Sequence, residues 1–264
     1  MGGSWRLCLT EYLSGDHELS ACYFGEVSEL QADRSRKATC VEEQDERTKQ
    51  AAVSRARKAI KRKVLQMGAD RMLTLTFREN QGDIDEAWKA FKALVRKLRK
   101  TWKDFTYLAV PEKQKRGAWH FHLALSGYHD VSVIRQAWVQ VVGTVRVVGQ
   151  LAGFSTYLEK SGGNVDITKP RKQIDKNSWN PANIAGYLGK YLAKTFETVE
   201  SLNRRRYSSG GDIPEPKKVV AWCMCGGSWL YDHARKVFQD VHGYPPAYEV
   251  EIDEPFKVLF LTST

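Results

Sequence analysis

No run of about 18 apolar residues occurs in the sequence, so no segment is read as crossing a membrane. No basic stretch followed by an apolar run opens the chain, and so no secretory signal peptide is read. The glycine-rich phosphate loop of Walker type is missing, which leaves the sequence without an ATP motor of its own. Cysteines are few and odd in number, five in all, at Cys8, Cys22, Cys40, Cys223 and Cys225. Their scattered spacing predicts no disulfide framework and points to a reducing cytoplasm. Cys223-Met-Cys225 leaves a gap too short for an ordinary zinc knuckle and reads as two small apolar residues near a strand. Acidic residues are in deficit: 31 Asp and Glu face 41 Lys and Arg, a formal net charge of +10.

A positive excess of that size is the electrostatic footprint of a nucleic-acid binder. Hydrophobic residues make up 42% of the 264 positions and aromatics 11%, enough for a full core with rings left over to stack on bases. The pattern divides the chain into an N-terminal extension with a basic helix (1–69), a core (70–208) and a C-terminal extension (209–264). Residues 41–66 read as a helix that starts acidic at Glu42, Glu43 and Asp45. It then carries eight basic residues and no acid from Arg47 to Lys63, an order that suits the helix dipole. Arg55, Arg57, Lys58, Lys61 and Arg62 in that run suit a solvated surface and a DNA-backbone contact equally well. Residues 1–40 give no clear pattern.

Within the core, Met72-Leu-Thr-Leu-Thr-Phe77 alternates as a strand does. Asp83 and Glu86 stand at capping-box spacing ahead of a helix to about Trp102. Its Trp88, Phe91, Leu94, Val95, Leu98 and Trp102 form one apolar stripe. Strands are predicted over 105–112, 118–126 and 163–168, and helices over 131–141 and 181–197. A strand near 219–225, a helix near 229–240 and a β-prone tail follow.

His120-Phe121-His122 lies in the second of the paired strands. Successive strand side chains alternate, so both imidazoles share one face while Phe121, Leu123 and Leu125 share the other. Lys115-Arg116-Gly117 suits a three-residue hairpin loop with glycine in the left-handed position. That loop pairs Gln114 with Ala118 and places Glu112 opposite His120, on the same face. Two imidazoles and a carboxylate suit magnesium or manganese, and zinc by ligand type alone. His17, His129, His233 and His242 lack such company and read as surface or structural.

In the helix 181–197, Tyr187 and Tyr191 are four residues apart and so stack on one face, each followed three positions later by a lysine, Lys190 and Lys194. A phenol with a pKa of about 10 needs its proton removed before it attacks phosphorus. A nearby ammonium favours the phenolate, and a divalent ion polarises the phosphoryl oxygen. The same pattern also fits half-buried tyrosines with snorkelling lysines.

Taken together, Leu73-Thr-Leu-Thr-Phe77, His120-Phe-His122 and Tyr187-x-x-x-Tyr191 with its lysines resemble, in that order, the three motifs of the HUH endonucleases. The order is that of the rolling-circle replication initiators of small phages and plasmids, not of conjugative relaxases. The resemblance covers about 70–208. It implies an α+β fold with a central antiparallel sheet of about five strands, flanked by helices. It implies His120, His122 and Glu112 as ligands of Mg²⁺ or Mn²⁺, Tyr187 and Tyr191 as nucleophiles, and Lys190 and Lys194 as their helpers. The activity implied is nicking and rejoining of single-stranded or unwound origin DNA through a 5′-phosphotyrosine, in the cytoplasm of a bacterial host whose helicase and polymerase it borrows. Arg116 and the basic segment Arg204, Arg205 and Arg206 complete the candidate DNA-contacting set. A two-tyrosine transposase or a mobilisation nickase shares this chemistry. A DNA-binding regulator with a relic site is the alternative of another class.

Overall fold

The computed structural model describes residues 4–24, 41–151, 154–168, 180–197, 205–224, 228–252 and 257–264. In chain order, β1 (Ser4–Glu11) and β2 (His17–Phe24) precede α1 (Val41–Met67) and β3 (Arg71–Phe77). Then come α2 (Ile84–Thr101), β4 (Tyr107–Lys113), β5 (Trp119–Leu125), α3 (Val131–Val142), β6 (Thr144–Leu151), β7 (Phe154–Ser161) and β8 (Gly163–Thr168). The last elements are α4 (Pro181–Glu197), β9 (Ser208–Gly210), β10 (Lys217–Cys223), α5 (Ser228–His242), β11 (Tyr248–Ile252) and β12 (Val258–Thr262). The result is an α+β fold with two antiparallel five-stranded sheets and a separate β6–β7 hairpin.

The chain divides into two compact units, Ala51–Ile213 and the joined ends Met1–Gln50 and Pro214–Thr264. In the first, the strand order is β8-β3-β5-β4-β9. Alternation along these strands gives the sheet two different faces. Leu73, Leu75, Phe77, Tyr107, Ala109, Phe121, Leu123 and Leu125 pack against the stripe of α2 and against Ile134 and Trp138 of α3. Leu108, Val110 and Ala124 face the other way, onto Ile184, Ala185, Leu188 and Leu192 of α4 and Ile60, Val64 and Met67 of α1. The cap of α2 is half of the box the spacing predicts. Asp83 accepts from the backbone N–H of Asp85 and Glu86, but the Glu86 carboxylate turns to Lys89. In α1 the basic run stops short of the end. The helix continues to Met67 and its last turn holds no basic residue, so the dipole argument fails there.

In the second unit the strand order is β10-β1-β2-β12-β11, so segments that read as separate extensions share one sheet. Trp5, Leu19, Ala21, Leu259 and Leu261 form its core with Leu230, Tyr231, Ala234 and Phe238 of α5. Cys8 and Cys22 are free, but Cys223 is disulfide-bonded. That corrects the reading of Cys223 as merely a small apolar residue, and it counts against the expectation that the cysteines form no disulfide. Among the described residues no helix is long and apolar enough to cross a membrane.

The β4–β5 hairpin forms in the register the loop chemistry predicts. The Gln114 N–H donates to the Ala118 carbonyl at 2.8 Å, and Gly117 takes φ +89°. A Cβ added at Gly117 would meet only the Asn80 side chain, at 3.6 Å, so the obstacle there is backbone strain and not space. Gly117→Ala is therefore expected to destabilise the fold by about 1 kcal/mol, and Gly117→Asn by less. Chemical denaturation would measure both; equal stability of all three chains would show that the loop tolerates a changed turn.

Candidate functional site

The hairpin sets Glu112 directly opposite His120, and the next sheet neighbour sets Thr76 opposite His120 and Thr74 opposite His122. The alternation of Leu73-Thr-Leu-Thr-Phe77 explains those threonines: each leucine enters the α2–α3 core, and each threonine falls on the imidazole face. Above this face lies α4. Its leucines are buried against the sheet, while Tyr187 and Tyr191 occupy the neighbouring stripe. Thr195 anchors the helix: its hydroxyl donates to the Pro111 carbonyl at 2.8 Å, one residue before Glu112, and lies 2.9 Å from the Tyr191 carbonyl.

The side chains close into one cluster. The His122 Nε2–H donates to Glu112 Oε2 at 2.8 Å, and Lys194 Nζ donates to Glu112 Oε1 at 3.0 Å. With that proton on Nε2, His122 Nδ1 accepts from the Thr74 hydroxyl at 3.3 Å. The Tyr191 ring stacks on the His122 ring at 4.1 Å between centroids and 19° between planes, and its hydroxyl donates to the Tyr187 oxygen at 2.6 Å. Lys194 Nζ also sits 4.9 Å over the Tyr191 ring. Lys190 is exposed. Beside the cluster, Thr76, Glu112, Gln114, Lys115, Arg116, His120 and Lys194 line an open depression of about 640 Å³.

Three of these groups are shifted from their ordinary pKa. Burial, helped by the nearby His122 and Arg116, pushes the His120 imidazole down to about 4, so it is neutral at pH 7. Burial works against the Glu112 carboxylate, but the bonds from His122 and Lys194 outweigh it and hold the carboxyl below its ordinary value. Burial first, and then the bond to Tyr187, pushes the Tyr191 phenol well up. His120 Nε2 is buried and has no hydrogen-bond partner. A buried nitrogen left so is costly unless something outside the protein takes it up. As they stand, no three His, Cys, Asp or Glu side chains among the described residues form a metal-binding group, and the Glu112 carboxylate bonds His122.

The candidate DNA-contacting residues separate. Arg55, Lys58 and Arg62 are exposed on α1, and Lys61 is half-buried. Arg57 donates through Nε to the Gly189 carbonyl at 3.1 Å and so ties α1 to the tyrosine helix. Arg116 fastens the hairpin, donating to Gln114, to the Arg78 carbonyl and to the Phe77 carbonyl. Arg205 is exposed, and Arg206 stacks on the Phe196 ring at 3.5 Å. Arg204 lies outside the described residues. Thr74 and Thr195 have no assigned role in the sequence reading. The two-residue alternation could have pointed to Thr74, whereas nothing local marks Thr195.

The unit Ala51–Ile213 holds 30 Lys and Arg against 14 Asp and Glu, while the joined ends hold 11 against 17. The polar cluster therefore belongs to the strongly basic part of an otherwise acidic chain. Fold and site together define an α+β protein whose antiparallel sheet presents histidines and a carboxylate beneath a helix bearing two tyrosines. Residues 70–196, a little under half of the chain, match the family model described as replication-associated protein ORF2/G2P. That similarity supports a role as a replication initiator. No curated protein and no solved structure gives a match.

Proposed function

We propose that this protein initiates rolling-circle replication as an HUH-type endonuclease, cutting and rejoining single-stranded or unwound origin DNA through a phosphotyrosine. The observation that carries the reading is the convergence of Glu112, His120, His122, Tyr187, Tyr191 and Lys194 in one cluster beside a basic depression. In the step, a tyrosine Oη–P bond forms and the P–O3′ bond breaks. The phenol proton leaves, and the released 3′ oxygen takes up a proton. One ester replaces another, so the cut stores the energy for rejoining and needs no ATP. The freed 3′ hydroxyl primes synthesis by a host polymerase behind a host helicase, in the cytoplasm of a bacterial cell.

Glu112, His120 and His122 are the donors that would hold Mg²⁺ or Mn²⁺, and the unpaired Nε2 of His120 fits such a role. Once bound, the ion would polarise the phosphoryl oxygen. Thr74 can both donate and accept, so it can support either tautomer of His122 when Nε2 turns from Glu112 to the ion. Lys194 would compensate the charge that develops as the phosphodiester is attacked. Arg116, Lys115 and the exposed cations of α1 hold the DNA backbone.

A covalent adduct with single-stranded oligonucleotides tests the reading. Binding without any adduct, over a random-sequence pool with Mg²⁺ or Mn²⁺, would instead indicate a DNA-binding regulator. The cations of α1 have their own test. Neutralising exposed Arg55, Lys58 and Arg62 together is expected to reduce the log–log salt slope of single-strand binding by roughly 2, about 0.7 per lost phosphate contact. An unchanged slope would mean that this face of α1 is merely solvated.

A further inference from the structure

A second pair of imidazoles meets in the unit built from the chain ends. His17 opens β2 and His242 closes α5, and their Nδ1 atoms lie 3.1 Å apart. His17 is buried and its backbone is fixed at both polar atoms. Its N–H donates to Ser263 Oγ at 2.9 Å, and its carbonyl accepts from the Ser263 N–H at 3.1 Å. Two neutral imidazoles in this pose can share a single proton between the facing nitrogens. The same spacing also suits a chelate. Metal–imidazole bonds are about 2.0–2.1 Å, so two nitrogens on one ion at roughly 100° stand about 3.1–3.2 Å apart.

Glu11 is directly opposite His17 in the β1–β2 ladder, hence on the same face. Its carboxylate now leans toward exposed Lys217 at 3.5 Å, a weak tether that a change of rotamer releases. Asp16, the chain neighbour of His17, is committed to the hydroxyls of Ser14 and Ser263. Among the described residues no third His, Cys, Asp or Glu already completes the set.

We propose that His17 and His242 bind a divalent transition-metal ion of the zinc class, with Glu11 and water completing its shell, and that the ion clips the N-terminal hairpin to the end of α5. Imidazole donors favour zinc, cobalt, nickel or copper over magnesium, and because the polar cluster on the other sheet offers the same donor types, the two sites are told apart by substitution. Both halves of the clip belong to the same compact unit, and holding them together stabilises that unit.

The test titrates the full chain with Zn²⁺ alone, in saturating Mg²⁺, by calorimetry. The unaltered chain is expected to bind one zinc equivalent more than His242→Gln, with affinity at that site reduced at least 10-fold in the variant. Zinc should raise the thermal midpoint of the unaltered chain and leave that of His242→Gln in place. A chain carrying His120→Ala and His122→Ala should keep the extra equivalent, which separates it from the polar cluster. His242 is only partly buried at a helix end, so the glutamine is expected to preserve the fold and the nicking activity. If zinc stoichiometry is the same in the unaltered chain, His242→Gln and His17→Gln, the pair is a hydrogen-bonded imidazole couple and the proposal is wrong.

Discussion

With both Tyr187 and Tyr191 replaced by phenylalanine, no covalent protein–DNA adduct is expected, while single-stranded DNA is still bound. Phenylalanine keeps each ring in place, including the stack of Tyr191 on His122, so the loss would report chemistry and not folding. Binding should survive because it rests on the basic surface of Ala51–Ile213. Each single variant is expected to keep some single-round cleavage, with the adduct mapped to the remaining tyrosine. One helical turn is about 5.4 Å, so a small shift of DNA or helix would let each hydroxyl reach phosphorus in turn. The two variants need not be equal. Tyr191 donates its proton to Tyr187, and its phenol is held above the ordinary range. Tyr187→Phe deletes the acceptor of that bond and leaves Tyr191 in its partly buried position. An adduct on the double variant, located by peptide mapping, would remove this helix from the mechanism. A single variant that is silent in repeated cutting and joining would reduce the enzyme to one nucleophile.

Chelation is expected to abolish cleavage, and added Mg²⁺ or Mn²⁺ to restore it. His120→Ala or His122→Ala should lower the cleavage rate by roughly 10³-fold, equivalent to about 4 kcal/mol of transition-state stabilisation. The two substitutions should differ in their side effects. His122 is built into the cluster through Glu112, Thr74 and the Tyr191 ring, so its loss also loosens the tyrosine helix. His120 makes no hydrogen bond through Nε2, so alanine there removes a donor and little else. Glutamine at Glu112 keeps the shape but gives up the charge that Lys194 pairs with. Full activity in excess chelator would overturn the ligand assignment, whatever the variants do.

Much of this was legible in the sequence where one periodicity and one turn acted together. Gly117 fixed the hairpin loop, the loop fixed the register, and the register placed Glu112 opposite His120. The four-residue spacing of the tyrosines likewise needed only helix geometry. Features that depend on distant partners were out of reach. Arg57 looks like any other cation of the α1 run, yet it bonds the Gly189 carbonyl 132 positions away. Arg116 reads as a DNA contact and serves also as a clamp on the end of β3. The hairpin of β1 and β2 was missed although Trp5, Leu7 and Leu9 alternate with Arg6, Cys8 and Thr10, as Leu19 and Ala21 do with Glu18, Ser20 and Cys22. Its pairing with β10 and β12, from the far end of the chain, has no local signature at all.

Phe121 is flanked by the two imidazoles and sits wholly inside the opposite core, stacked on Phe91 at 4.9 Å and against Trp88 at 4.8 Å. A single backbone segment of three residues thus answers to two masters. Any drift in the aromatic packing on one side tilts the strand and re-aims both imidazoles on the other. A library that randomises Phe121, Phe91 and Trp88 together, sorted once for solubility and once for cutting, should therefore give two different sets of survivors. The cutting set should be the narrower, because a core that merely fills its volume can still turn the histidines away from the phosphate.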